Sequence, residues 1–189
     1  MRAVLDRLIS WFGLLLALLL LIAGALLTWG NVYIGDMVQS QLSEQRITMP
    51  DDAAIKGDEA LSTEDKDAMK AFAGQKLESG DQARAYAEHY IKPHMNHSAA
   101  GKTYSEVSGE FMGKCVATDK PAADCDQLAQ SRQTLFMGDT LRGLLLYGFA
   151  FATIGKLMGY AAIAAFLGAL LMLVLGLLGF RHAKQASTA

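Results

Sequence analysis

The sequence predicts an all-α membrane protein: two transmembrane helices, both extended outward, with an extracytoplasmic helical domain inserted between them. Residues 11–29 and 157–180 carry no charge, whereas the long region between them is polar. Each uncharged run reaches the length of about 18 residues that is needed to cross a bilayer as a helix. The apolar residues of the polar region recur at helical spacing and do not alternate, so the inserted domain is predicted to be helical as well.

The charges beside the two apolar runs predict their orientation. Arg2 and Arg7 precede the first run, and Arg181 and Lys184 follow the second. Short segments rich in Lys and Arg remain in the cytoplasm, so we expect a plasma-membrane protein with both termini cytoplasmic and residues 30–160 extracytoplasmic. The predicted divisions are cytoplasmic tails at 1–10 and 181–189, transmembrane helices at 11–29 and 161–180, a helical domain at 30–142 and an apolar helical overhang at 143–160.

A cleavable signal peptide is the alternative interpretation of the first run. Ala23-Gly24-Ala25 has the small-residue pattern of a cleavage site. The apolar run continues beyond it to Trp29, which would bury the site, so we expect an uncleaved anchor.

The formal net charge of −2 is spread without a basic cluster, which argues against nucleic acid as a partner. Gly101-Lys102-Thr103 resembles the end of a phosphate-binding loop. That motif needs a glycine five residues earlier, where this chain has Asn96. We therefore expect no nucleotide site.

The second anchor is longer than a bilayer requires. Counting back about 20 residues from Arg181 ends the span near Ala161 and leaves Lys156 and Tyr160 as anchors at the membrane interface. The uncharged segment 143–155 then lies outside the hydrocarbon and must be covered. Ile34, Val38 and Leu42 of the first helix offer one covering stripe, and the other side needs the inserted domain or another protein.

Small residues recur along this second anchor, where they allow close helix packing. We predict a helix-packing or partner interface there, without identifying the helix that it meets. Its residues are Gly148, Ala152, Gly155, Gly159 and Gly168.

Local signals place helices in the inserted domain. Ser62 with Asp65, and Thr103 with Glu106, have the spacing of capping boxes. Asp81 is predicted to cap the helix that follows it, and Pro93 to end or kink that helix because the residue before a proline avoids the α region. The acidic, proline-containing stretch 49–59 is predicted to be a surface loop.

The two cysteines, Cys115 and Cys125, lie ten positions apart around Pro121. An extracytoplasmic domain is in an oxidising compartment, so we predict a structural disulfide. The spacing does not match the paired-cysteine motif of zinc sites.

Three histidines, His89, His94 and His97, form a cluster to which Asp81, Glu88 or Glu106 could add a carboxylate. Two histidines and a carboxylate can bind iron when they converge on one point. The alternative is that these histidines are solvated at a helix end and turn, and we expect no bound metal.

Several stretches give the chain a resemblance to a family of small actinobacterial two-pass membrane proteins. These are residues 82–87 (QARAYA) with His89 and His94, the GKTY turn at 101–104, RQTLF at 132–136 and LRGLLL at 141–146. Members often carry a label as aromatic ring-opening dioxygenases, which the candidate site residues above do not support. Size and topology are also similar to an accessory subunit of the actinobacterial respiratory supercomplex, in which a menaquinol–cytochrome c oxidoreductase is joined to cytochrome c oxidase.

That resemblance implies a non-catalytic accessory subunit without a cofactor of its own. Its expected partners are integral membrane subunits of the respiratory complex and lipid. The alternative function is an extracytoplasmic metal-binding protein or small metalloenzyme that uses His89, His94 and His97.

Overall fold

The computed structural model describes residues 2–117 and 123–186. Met1 and residues 187–189 of the predicted tails, and residues 118–122 between the two cysteines, lie outside the described residues. Within the described ranges the chain is all-helical, as predicted, and its β-pairing is limited to an isolated bridge between Thr48 and Lys76. The helices are α1 (Arg2–Glu44), α2 (Asp52–Gly57), α3 (Thr63–Lys70), α4 (Gly80–Tyr86), α5 (Lys92–Ser98), α6 (Tyr104–Phe111) and α7 (Cys125–Ala186), with π-helical turns at Ala87–Ile91 and Met112–Val116.

The chain forms two compact units. We call Met1–Asp36 with Thr153–Ala189 the two-helix unit, and Met37–Ala152 the central domain.

The two-helix unit pairs α1 and α7 in antiparallel directions through small residues. A Cβ on Gly13 would lie 3.6 Å from the Met172 carbonyl oxygen, and one on Gly24 would lie 2.8 Å from the Phe166 ring. Farther along, the Asn31 side chain donates a hydrogen bond of 2.7 Å to the Gly155 carbonyl. The helices come close together at these points because a glycine has no side chain to hold the neighbouring helix away.

Both long helices are apolar enough to cross a membrane. Only 17% of the most apolar stretch of α1, and 22% of that of α7, is buried within the protein. A helix in the core of a water-soluble domain would be covered instead, so the exposure of these apolar side chains favours a lipid environment.

In the central domain, the segment from α4 to α5 runs antiparallel along α7. Four contacts mark its course: Met95 with Gly138, Glu88 with Arg142, Arg84 over the Phe149 ring, and Gly80 with Ala152. Residue numbers rise along the α4–α5 segment as they fall along α7, so the four contacts form one continuous antiparallel helix–helix interface. The largest fully buried side chains among the described residues are Met49, Met69, Leu77 and Leu135.

Two of the predicted helix starts are confirmed and one is wrong. Ser62 with Asp65 and Thr103 with Glu106 form complete capping boxes. The helix predicted to be capped by Asp81 is capped instead by Ser79, whose partner in the box is Gln82. Ser79 has the advantage that Gln82, three residues later, reaches back to the Ser79 backbone N–H, and this satisfies two donors together.

The prediction that Pro93 could end the helix is also wrong. Lys92 keeps helical angles, φ −60° and ψ −48°, and Pro93 lies in the first turn of α5. A proline costs little in a first turn, where its missing N–H would have had no partner. The π-helical turn just before it takes up the irregularity and lets the chain continue as a helix to Ser98.

The stretch 49–59, predicted as a surface loop, contains α2. Asp51 accepts a hydrogen bond of 2.8 Å from the Ala54 N–H, which starts that helix. Met49 and Ile55 turn inward and are each 2% exposed. The acidic residues are typical of a solvent-exposed loop, whereas the buried side chains of Met49 and Ile55 anchor the segment in the central domain.

Gly80 provides the first test of this packing. A Cβ there would overlap the Cβ of Ala152 and lie 3.2 Å from the Cα of Phe149. We expect Gly80→Ala to lower the free energy of unfolding by about 1–3 kcal/mol, the usual cost of overpacking. Chemical denaturation of the full chain in detergent measures the change.

Gly109→Ala is the matched control, because Gly109 lies in α6 with no atom within 4 Å of the added Cβ. That variant is expected to be neutral or stabilising, since alanine is the better helix former. Equal effects of the two substitutions would contradict the close approach of α4 to α7.

Candidate functional site

Within the central domain, α7 packs against two neighbouring segments and leaves a row of apolar side chains exposed. One face packs against the α4–α5 segment, and a second meets the end of α1, where Leu42 lies 3.4 Å from a Cβ built on Gly148. Beside the contact with α1, large apolar side chains of α7 are 37% to 66% exposed. We call this set the apolar stripe: Met137, Leu141, Leu144, Tyr147 and Phe151.

The apolar stripe borders a groove of about 430 Å³. Its other wall is the end of α1, which contributes Met37, Val38, Gln41, Leu42 and Gln45. The exposed rings of Tyr147 and Phe151 lie on this groove, and aromatic residues are enriched at the cores of protein interfaces. The combination of a groove and an exposed apolar ridge is typical of a surface that receives another helix or chain.

The predicted small-residue face is used inside the chain. In the two-helix unit, Cβ atoms on Gly155, Gly159 and Gly168 would lie 3.2–3.3 Å from Ile34, Asn31 and Leu20 of α1, respectively. In the central domain, Gly148 faces Leu42 and Ala152 faces Gly80. We therefore reassign these five positions from a possible partner interface to intrachain packing. Neighbouring helices of the same chain already occupy these positions. The exposed side chains of the apolar stripe remain available to a partner.

The predicted interfacial residues Lys156 and Tyr160 are both exposed and lie one helical turn apart on α7. They line a common cavity in the two-helix unit together with Thr28 and Asn31 of α1.

An ion pair joins the α4–α5 segment to α7. Arg142 donates a hydrogen bond of 2.7 Å to Glu88, and Lys92 lies 3.2 Å from the other carboxylate oxygen. Burial alone would raise the pKa of Glu88, but the hydrogen bonds from Arg142 and Lys92 lower it below the ordinary value. The pair fixes the rotation of α7, and with it the direction in which the apolar stripe points. The pair could not be predicted from the sequence, because its residues are 54 positions apart; a lone arginine at the edge of an apolar run was the available signal.

The structure places the clustered histidines in separate pairs. His89 lies 2.9 Å from Asp65, while His94 lies 3.0 Å from Asp58 and 2.6 Å from the Tyr90 carbonyl. His97 is exposed. Burial raises the pKa of Asp65, but hydrogen bonds with Ser62 and His89 outweigh it and lower that pKa.

Among the described residues, no group of three or more His, Cys, Asp or Glu side chains is arranged to hold a metal ion. His89, His97, Asp65 and Glu88 do line one polar cavity of about 530 Å³. Of the other carboxylates considered, Glu106 serves the Thr103 capping box. Asp81 is exposed and does not line this cavity.

The cysteine pair of the predicted disulfide lies at bonding distance. The Cys115 and Cys125 sulfurs are 2.02 Å apart, which joins the π-helical turn after α6 to the first residue of α7. Arg132 over Phe111, 5.2 Å from the ring centroid, holds α6 along the same helix. These contacts fasten the beginning of α7 within the central domain.

Comparisons of the chain with protein-family models, with curated proteins and with solved structures find no match.

The Glu88–Arg142 pair generates a pH prediction. The pKa of Glu88 is lower in the folded chain than its ordinary value of 4.5, so the stability that it contributes is present above pH 4.5 and is lost as the pH falls through the lower, folded value. We expect Glu88→Gln to reduce the free energy of unfolding by about 1 kcal/mol at neutral pH, since the pair is partly exposed to water. The variant should also lose part of the acid destabilisation that wild type shows.

Urea denaturation at neutral and acid pH measures both effects. Glu44→Gln, at an exposed carboxylate near the end of α1, is the control. If Glu88→Gln and Glu44→Gln have the same pH profile, the ion pair does not hold α7 in place.

Proposed function

We propose that this chain is a non-catalytic accessory subunit that binds a larger membrane complex through the apolar stripe. The observation that carries the proposal is that stripe, five large side chains exposed along one face of α7 beside an apolar groove. Contiguous apolar patches on a folded surface mark interaction sites because their exposure to water is unfavourable.

The kind of partner follows from the position of the stripe in the sequence. In the predicted topology, residues 161–180 span the bilayer, and Leu144, Tyr147 and Phe151 belong to the overhang 143–160 immediately before that span. The central domain is then extracytoplasmic and inserted between the two transmembrane helices. We propose that the partner that covers the overhang beside the bilayer is an integral membrane protein.

The resemblance to actinobacterial two-pass proteins supports a specific complex. We propose the respiratory supercomplex of menaquinol–cytochrome c oxidoreductase and cytochrome c oxidase. The chain binds there beside subunits that carry haem and copper, and it brings no redox group itself. Its disulfide and the Glu88–Arg142 pair keep the stripe rigid, which reduces the entropy lost on binding.

Replacing side chains of the stripe tests the contact. We expect the double variant Leu144→Ser with Tyr147→Ser to lose about 2 kcal/mol of binding free energy, roughly thirtyfold in affinity. The reason is that a buried aromatic side chain at an interface typically contributes this much to binding. Affinity purification in mild detergent, followed by mass spectrometry and haem absorbance, measures the co-purified subunits.

Met112→Ser is the control, since Met112 is 48% exposed but lies on the π-helical turn after α6. It is expected to leave co-purification unchanged. Full retention of the partners by the double variant would place the contact elsewhere.

The proposed topology has its own test. In intact cells, neither Cys115 nor Cys125 should react with a membrane-impermeant maleimide until an impermeant reductant is added, because both are bonded and extracytoplasmic. A cysteine introduced as Gln185→Cys should react only after the membrane is permeabilised. If the native cysteine pair is also labelled only after permeabilisation, the central domain is cytoplasmic and the proposed orientation is wrong.

The second candidate function is metal binding, favoured by the cavity that His89 and His97 share with Asp65 and Glu88. Elemental analysis of the purified full chain separates it from the first. We expect the metal content of wild type and of His89→Ala with His97→Ala to be equally low. Stoichiometric zinc or iron that disappears in the double variant would establish the metal-binding function instead.

A further inference from the structure

His94 of α5 lies between two oxygen atoms, one at each nitrogen of its ring. Its Nδ1 is 2.6 Å from the backbone carbonyl oxygen of Tyr90, and its Nε2 is 3.0 Å from a carboxylate oxygen of Asp58. A carbonyl oxygen and an ionised carboxylate only accept hydrogen bonds, and a neutral imidazole has a single N–H to donate. Both contacts are therefore hydrogen bonds only when the ring carries two protons and a positive charge.

The surroundings of His94 favour that charge. The centroids of the His94 and Tyr90 rings are 4.4 Å apart, and an aromatic ring attracts a cation. The other carboxylate oxygen of Asp58 accepts a hydrogen bond of 3.0 Å from the Ala60 N–H, so this carboxylate accepts at both oxygens. The His94 side chain is 39% exposed, which lets water supply and remove the proton.

The other ionisable groups around α5 contact different partners. α3 approaches the same helix through Asp65, which pairs with another histidine. α7 approaches it through Arg142, and this arginine and Lys92 both pair with Glu88. His97 lines the polar cavity described above. Asp58 is thus the carboxylate that faces the His94 ring.

His89 shows what a neutral ring satisfies. Its Nδ1 lies 2.9 Å from Asp65. A neutral ring with its proton on Nδ1 donates that hydrogen bond without a second proton. The two histidines therefore differ, because the contacts of His94 need both protons and this contact of His89 does not.

The His94 contact joins two parts of the central domain. Asp58 follows α2 directly and donates its own N–H to the carbonyl of Ile55, whose side chain is 2% exposed. The residue after His94 is Met95, which contacts α7 at Gly138. The charged ring therefore fastens the end of α2 to the helix that packs on α7.

We propose that His94 is a proton-dependent clamp, which holds the end of α2 on α5 while the ring carries two protons. Loss of one proton leaves a nitrogen lone pair facing an acceptor oxygen, and this replaces an attraction by a repulsion. Because the clamped chain keeps a proton that the released ring gives up, the clamp weakens as the pH rises. In the proposed topology it responds to the pH outside the cell. The clamp lies within the central domain and does not depend on partner binding by the apolar stripe.

Nitrogen-15 NMR of the full chain in detergent, labelled at histidine and assigned with His94→Gln, tests the protonation state. At about pH 7, within the range where histidines change charge, we expect the ratio of charged to neutral His94 to be about fivefold higher in wild type than in Asp58→Asn. The amide N–H of the asparagine donates to Nε2, so a neutral ring with its proton on Nδ1 satisfies both contacts. A wild-type ring with one bare nitrogen at about pH 6 would overturn the proposal without any variant.

Urea denaturation of the same proteins tests the clamp itself. Between about pH 6 and about pH 8.5, the unfolding constant of wild type should rise about fivefold more than that of Asp58→Asn, which keeps its contacts with a neutral ring. Asp67→Asn is the control, because it removes the same charge from an exposed position of α3, and it should follow wild type. An identical pH dependence in all three proteins, or equal charge ratios of His94 in wild type and Asp58→Asn, would overturn the proposal.

Discussion

The central constraint on this protein is that α7 is apolar on every side from Gly143 onward, including residues 143–152, which lie in the central domain. Such a helix is stable only when each face is covered by protein or lipid. In the central domain, the end of α1 covers one face through Leu42 at Gly148, and the α4–α5 segment covers another through Gly80, Arg84 and Met95. The apolar stripe remains exposed beside the α1 contact, and its exposure is the physical reason for proposing a partner.

Small residues and one ion pair determine how those faces are divided. Gly148 and Ala152 let neighbouring helices approach α7 so closely that no third chain can use the same positions. The Glu88–Arg142 hydrogen bond then fixes the rotation of the helix. Removing either kind of contact would weaken the packing of α7 without changing the hydrophobicity of the stripe, so stability and partner binding are coupled through this helix.

Some features that depend on local sequence were predictable, whereas those that depend on distant contacts were not. The capping boxes at Ser62 and Thr103 involve residues three positions apart, and they were found. Ser79 was missed because Asp81 nearby is an equally good capping residue, and the choice depends on the reach of Gln82. The small-residue face was recognised as packing, but its partner on α1 lies more than a hundred residues away in sequence. The pairing of His89 with Asp65 and of His94 with Asp58 could not be predicted either, because it depends on how α2 and α3 fold back.

Site-specific photo-crosslinking in intact cells tests the central claim most directly. A photoreactive amino acid replaces Leu144 on the apolar stripe or, as a control, Met112 on the π-helical turn, both exposed side chains of the central domain. The predicted result is one discrete adduct with another integral membrane protein from position 144 and none from position 112. The absence of a protein adduct at position 144, or the same adducts from both positions, would contradict the proposed interface.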